Sequence, residues 1–452
     1  MRVSPFKHCV ALWLFTITFS SACAIFPFNT NTNIGPVVVS HNEKGQVIAP
    51  AKTRARHVTH QDLRNGLFVG IAMSGGGSRA ANFSAAALLE LKELGILDNT
   101  TALSSVSGSS LTAAYYGLFS QSNEWNRENV RDVFLSNFER QWFLRWLDPR
   151  NIFRYWFSNF DRSNIMEQVF NSILFDGKTF GDMPPDATPK ILINATSLTQ
   201  QRGFLFTDEE FAHIGSPLDK FPVSSAVMAS GAFPGAFANV TLRNYTEAER
   251  YEHLFDGGPS DNLGVGTLLD ELRHVYESSD DANRPKGCFI VIVDAYPESW
   301  NLFANLRDTR TGIVEFIVDT NALEASNVLL SLRRREILRV LGHKEDEKIG
   351  KEAFTTFKLP INKTDSIECH AWLLTFQRLT HLKNIPHATS ISTIVNNVPT
   401  RYRLIGPYDL SPKNTQDALF EAARILTRED RETLSKICEK FSGRFGGMKC
   451  PQ

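Results

Sequence analysis

The feature that most constrains this chain is a sharp change of pattern. The apolar run Leu67-Phe68-Val69-Gly70-Ile71-Ala72-Met73 stops at Gly75-Gly76-Gly77, and over residues 80–94 Ala85, Leu88, Leu89 and Leu91 recur at helical spacing. A strand that is apolar on both faces has to be covered on both, so it belongs inside a sheet and not on a wetted surface. The pattern then repeats, with a second strand over residues 103–106 and a second helix over 111–119. Further strands are expected at 190–194 and in the uninterrupted apolar run 288–293, and a terminal helix around 418–426. Such alternation predicts an α/β protein in three layers, α/β/α, around a central, mainly parallel sheet.

The chain has 452 residues, 42% hydrophobic and 21% charged, enough to bury a substantial core. Its formal charge is -1 with both signs mixed, which argues against a nucleic-acid partner, since a phosphate backbone is gripped by an excess of cations. At the start, Arg2 and Lys7 precede an apolar run over residues 9–19 and then Ser20, Ser21, Ala22 and Cys23. This is the layout of an export signal, and the run is shorter than the roughly 20 residues a spanning helix needs. Cys23 is a lipidation candidate, although Ser20 stands where such sites customarily carry Leu; simple cleavage after Ala22 or Ala24 is the alternative. The expected destination is the bacterial cell envelope (periplasm or outer membrane) or the exterior.

The domain reading follows: a signal over 1–22, a tether or arm over 23–66, a core over 67–270 with an insertion at 121–180, and residues 271–452 completing the same domain. Between Cys23, Cys288, Cys369, Cys438 and Cys450, only Cys438 and Cys450 are close enough in sequence to suggest a bridge. No cysteine or histidine spacing suits a metal, and His57 and His60 read as a solvated helix face. The insertion interleaves Trp142, Phe143, Trp146, Phe153, Trp156 and Phe157 with Arg140, Arg145, Arg150 and Arg154. It reads either as a surface that enters lipid or as a layer packed on the sheet; aromatic stripes usually mark core, so the packed layer is the expectation. The basic stretch 328–341, with Arg333, Arg334 and Arg335, reads as a solvated face.

Gly75-Gly76-Gly77-Ser78-Arg79-Ala80 joins the first strand to its helix, where unpaired amides at a helix N-terminus attract negative charge. Two chemistries use that geometry. One is a dinucleotide site, for which Glu93 or Asp98 would be the acidic partner; the other is an oxyanion hole. The next junction, Ser105-Val106-Ser107-Gly108-Ser109, has the spacing of a nucleophile elbow, with serines in place of the usual outer glycines. A nucleophile beside an anion hole is what acyl transfer needs, and a dinucleotide fold gives no reason for it. Asp256-Gly257-Gly258 then offers a carboxylate at a tight turn, either an ordinary Asx turn or a base that needs desolvation to act on a hydroxyl. No histidine, His253 included, stands in the order of a Ser, Asp, His triad.

These three motifs, in this order, resemble the patatin-like phospholipases, whose catalytic core is shared with the cytosolic phospholipases. Asn194-Ala195-Thr196 and Ala229-Ser230-Gly231-Ala232-Phe233-Pro234-Gly235 are similar to further family segments. The resemblance implies the patatin-like α/β fold and a phospholipase A or acyl-ester hydrolase working on lipid at a membrane surface. It implies a dyad of Ser107 as nucleophile and Asp256 as proton acceptor, Gly76 and Gly77 amides holding the oxyanion, and neither metal nor organic cofactor. The competing readings are an inert lipid- or partner-binding envelope protein on the same fold and a nucleotide-binding oxidoreductase.

Overall fold

The computed structural model describes residues 31–33, 40–41, 47–48, 52–247, 250–297, 320–343, 349–407 and 409–451. The signal segment, with Cys23, lies outside them. Nine strands of the described residues form one sheet. They are β1 (Leu67–Met73), β2 (Ala102–Val106), β3 (Lys190–Ser197), β4 (Arg202–Leu205), β5 (Val240–Asn244), β6 (Arg250–Asp256), β7 (Gly287–Asp294), β8 (Phe354–Pro360) and β9 (Ser366–Thr375). Their order is β8-β9-β7-β1-β2-β3-β6-β5, with β4 also paired to β3. Neighbours from β9 to β3 run parallel; β8, β4, β6 and β5 add antiparallel pairs at the two sides. Strands from before and after residue 270 thus share one sheet.

The helices that matter for the site are α1 (Gly77–Glu93), α2 (Gly108–Phe119), α3 (Arg127–Phe134), α4 (Phe138–Trp146), α5 (Pro149–Phe157), α6 (Arg162–Phe170), α7 (Val223–Ser230), α8 (Val265–Ser278), α9 (Thr320–Val340), α10 (Pro412–Arg424) and α11 (Arg431–Phe441). Alternate residues of the central strands feed two separate cores, as the period of two requires. On one face Val69, Ile71, Met73, Phe289 and Val291 pack with Phe83 and Leu88 of α1, Leu111 of α2 and Leu419 of α10. On the other, Phe68, Ala72, Ile290 and Ile292 pack with Leu268 and Leu272 of α8 and Leu338 of α9. This is the three-layer α/β/α arrangement, a mixed sheet with parallel centre. β8 shows the complementary pattern: its residues alternate between buried and exposed, as suits an edge strand with one face to water.

Several expectations change. α1 and α2 begin at Gly77 and Gly108, three residues before the apolar periodicity starts, because Ser78, Arg79, Ser109 and Ser110 are polar yet buried. The helix expected at 418–426 is Pro412–Arg424, and it is not the terminal one: a wider turn over Ile425–Glu429 and the helix Arg431–Phe441 follow it. The packed body begins well before Leu67: Ala55 and Val58 are fully buried, and Asp208 accepts from Thr53 Oγ1 at 3.1 Å. Residues 52–66 are therefore not a tether. Nor is His57 on a solvated helix face; its Nδ1 lies 2.6 Å from the buried carboxylate of Glu271 on α8. In the basic stretch Arg333 is solvated, but Arg334 is buried and its Nε donates to Asp294 at the end of β7 at 2.9 Å.

Cys438 and Cys450 are bridged, with Cα atoms 5.8 Å apart. A second disulfide, Cys288–Cys369, was not expected from spacing; it joins residues that the register of β7 and β9 sets side by side, Cα atoms 4.5 Å apart. The insertion is helical, but its aromatics divide. Phe138 is buried and Trp142 half-buried, whereas Phe143, Phe153 and Trp156 are exposed, so the packed-layer expectation holds for only part of it. Among the described residues no helix is long and apolar enough to cross a membrane.

Candidate active site

Three strand ends meet at the site. Ser107 follows β2 as the residue before α2, with φ 53° and ψ -124°, a conformation that a residue with a side chain adopts only under strain. That strain turns the backbone sharply enough to leave the side chain partly exposed while its neighbours are buried. Gly108 makes the turn possible. A Cβ there would sit 2.1 Å from the Gly77 carbonyl oxygen, so the elbow and the first glycine turn touch through backbone alone. A Cβ on Gly75 would likewise come within 3.2 Å of the Ser107 Cβ, which puts the serine side chain against the start of the glycine turn at Gly75.

The serines at the outer elbow positions are absorbed by the protein. Ser109 Oγ donates to the Met73 carbonyl at 2.8 Å and accepts from the Val106 N–H at 3.0 Å, tying β1 to the elbow. Ser105 Oγ accepts from Ser110 Oγ at 3.1 Å. Both are fully buried and neither tilts Ser107 out of the turn.

Ser78, Arg79 and Ala80, expected with the oxyanion donors, do other work. The Ser78 N–H donates to Arg401 O at 2.6 Å, and the Arg79 guanidinium turns away to Ala295 O at 2.8 Å, to Val398 O and to Thr400 Oγ1 at 3.1 Å. The Ala80 N–H donates back to Gly76 O. Burial lowers the Arg79 pKa to about 10, so the group stays charged at neutral pH and clamps residues 398–401 over the turn. Gly75 N–H is taken by Asn262 O at 3.3 Å. Among the described residues, this leaves the N–H groups of Gly76 and Gly77 unpaired beside Ser107. The Ser78 N–H, which a pyrophosphate at this helix N-terminus could also use, is held by the Arg401 carbonyl.

Asp256 ends β6, and its carboxyl is buried. Oδ1 accepts from the Gly258 N–H at 2.8 Å, the Asx geometry of the Asp-Gly-Gly turn, while buried Oδ2 has no partner at normal hydrogen-bond geometry. Burial raises the pKa to about 6, against the Gly258 bond and the neighbouring Ser107 hydroxyl, which lower it. The Ser107 contact is thus close enough to be felt but loose, as is common in sites without substrate. His253 bonds Thr241 at 3.0 Å and takes no part.

Two groups that the motif reading did not assign hold these parts together. The Ala229–Gly235 segment runs between Ser107 and Asp256: Ser230 Oγ accepts from the Ser107 N–H at 2.9 Å, Ser230 O from the Gly257 N–H at 3.1 Å, and Ala232 O from the Asp256 N–H at 3.1 Å. Tyr402, next to the clamped Arg401, donates to Gly231 O at 3.1 Å and lies against the Ser107 hydroxyl, its own pKa raised by burial. Only the first was foreshadowed, by the Ala229-Ser230 motif; nothing local in sequence marks Tyr402. Among the described residues no His, Cys, Asp and Glu cluster could hold a metal ion.

Comparison with known proteins gives one family. The patatin-like phospholipase model matches residues 71–269, which contain all three motifs. No curated protein matches. Among solved structures, human GIVD cytosolic phospholipase A2 in complex with methyl gamma-linolenyl fluorophosphonate aligns at 12% identity over 88% of this chain and 64% of that one, TM-score 0.42. The same human enzyme with that inhibitor and terbium chloride aligns at 13% identity over 80% and 60%, TM-score 0.40. VipD from Legionella pneumophila aligns at 13% identity over 89% and 70%, TM-score 0.28. The chain thus spans less than two thirds of the human phospholipase chains. Residues 71–269, with the elbow, the glycine turn and the Asp-Gly-Gly segment, are thus similar to the patatin-like phospholipase domain.

Proposed function

We propose that this protein is a serine acyl hydrolase of lipid esters, of the phospholipase A or acyl-ester type, with Ser107 and Asp256 as its dyad. The observation that carries the reading is the placing of a strained, partly exposed serine against the glycine turn at Gly75 on one side and a buried carboxyl of raised pKa on the other. The Ser107 hydroxyl adds to the ester carbonyl as its proton passes to Asp256. The oxyanion that forms is stabilised by the Gly76 and Gly77 N–H groups, donors fixed before the charge appears. Collapse breaks the ester C–O bond, and Asp256 returns the proton to the departing alcohol. Water, deprotonated by Asp256, then adds to the acyl-serine and releases the fatty acid, restoring the Ser107 hydroxyl. The strain at Ser107 supports this role because elbows of this kind keep a nucleophile clear of its own backbone.

The test is fluorophosphonate labelling with hydrolysis of dispersed phospholipid and short acyl esters. Wild type is expected to label at Ser107, and Ser107→Ala and Asp256→Asn to lose about 10,000-fold or more in kcat/KM. A folded wild-type protein that neither labels nor hydrolyses would instead be the inert lipid-binding relative. We further propose export, with or without acylation of Cys23, which mass spectrometry of the mature N-terminus decides.

A further inference from the structure

We propose that α4 and α5 form a docking surface for phospholipid bilayers that carry anionic lipid. The two helices are built inside out. On α5, Ile152, Phe153 and Trp156 face outward, while Asn151 is turned into the protein, where it exchanges hydrogen bonds with Gln168 at 3.0 and 3.2 Å and donates to Arg145 O at 3.0 Å. A helix packed only for stability would do the reverse, because burying an amide needs partners whereas burying Phe and Trp is favourable. Phe143, Leu144 and Leu147 continue the outward apolar surface on α4 and the residue after it. Phe143 and Leu147 are each 62% exposed and Phe153 58%. Six large apolar side chains on one helical pair exceed the scattered exposure normal for a soluble surface.

Charge selects the occupant. Within residues 138–157, Arg140, Arg145, Arg150 and Arg154 stand against Glu139 and Asp148 alone, in a chain whose overall charge is negative. The Arg150–Asp148 pair, 2.9 Å apart, is largely in water, so it competes weakly with a lipid phosphate. Aromatic rings at the interface with guanidinium groups at head-group level is the arrangement by which amphipathic helices lie on anionic membranes. The surface also leads to the site. Trp142 of α4 contacts Phe237 (ring centroids 6.1 Å apart), Phe237 contacts Tyr402 (5.6 Å), and Tyr402 lies against Ser107. Docking through α4 and α5 therefore presents lipid to the Ser107 side of the molecule. The proposal extends the hydrolase reading, but binding does not require catalysis.

The experiment is co-sedimentation of the full chain with phosphatidylcholine vesicles, with and without phosphatidylglycerol. It uses Ser107→Ala protein so that turnover plays no part, and Cys23→Ser so that no acyl chain contributes. The expected result is binding strengthened about tenfold or more by phosphatidylglycerol. Phe143→Ser with Leu147→Ser and Phe153→Ser should lower binding about tenfold or more, with thermal unfolding and, in the Ser107 parent, short-ester hydrolysis unchanged. Arg140→Gln with Arg154→Gln should remove only the anionic preference. The proposal is overturned if the triple variant binds like its parent or if neutral and anionic vesicles bind equally. It is also overturned if sedimentation without vesicles shows an oligomer that the triple variant loses, because the surface then meets a second copy. Vesicle binding without any hydrolysis by wild type would sink the hydrolase reading and leave the docking surface standing.

Discussion

At Asp256, burial and a half-satisfied carboxyl act in the same direction. A free aspartate titrates near 3.9, and this one is raised to about 6. In the proposed role of proton acceptor it must be ionised, so kcat/KM on a soluble ester is expected to rise with pH through about 6 and level off above it. A flat profile from pH 4 to 8 would exclude Asp256 as the base. The same shift acts on stability with opposite sense. The raised pKa means its contribution is full below the unfolded value and is lost as pH rises through about 6. Asp256→Asn should therefore abolish turnover while holding or raising the thermal midpoint above pH 6. The Asp-Gly-Gly motif marks the residue in sequence, but the burial that raises its pKa depends on the tertiary packing around it.

At the element scale, the glycine turn and the C-terminal segment behave as one unit. Arg79 looked like part of an anion hole because it follows three glycines at a helix N-terminus. Its length lets it reach Ala295, Val398 and Thr400 instead, holding the backbone that carries Arg401 and Tyr402 against the site. Arg79→Met would leave two carbonyls without a donor, costing about 2 to 4 kcal/mol of stability. It should also lower kcat about tenfold or more by releasing Tyr402, while Ser107 still labels. Urea unfolding and single-turnover kinetics measure the two effects, and an unchanged kcat would show that Tyr402 only packs. The elbow has the converse logic. Ser105 and Ser109 depart from glycine, yet the position where only glycine fits is Gly108, because it alone meets the Gly77 backbone.

At the scale of the whole molecule, residues 52–62 cross onto α8 and fasten there through His57 and Glu271. Burial depresses the His57 pKa, and the Glu271 carboxylate more than offsets this, raising it to about 9. A raised histidine contributes stability that is complete below its unfolded value near 6.5 and is lost as pH rises through about 9. Thermal midpoints of wild type should therefore exceed those of His57→Asn at pH 6 and converge with them above pH 9; a difference that does not change with pH would refute the linkage. Nothing in the run 52–62 around His57 signals this, since one buried ion pair has no period. Sequence by itself determined the layers, because strand and helix periodicities are local, and the three motifs, because a glycine turn, an elbow and an Asx turn are each written in consecutive residues. Tertiary structure decided which glycine amides stay unpaired, what Ser105 and Ser109 bond, where Arg79 and Tyr402 reach, which cysteines meet across β7 and β9, and which aromatics of the insertion face water. Each of those depends on residues brought together from distant parts of the chain, which no local pattern encodes.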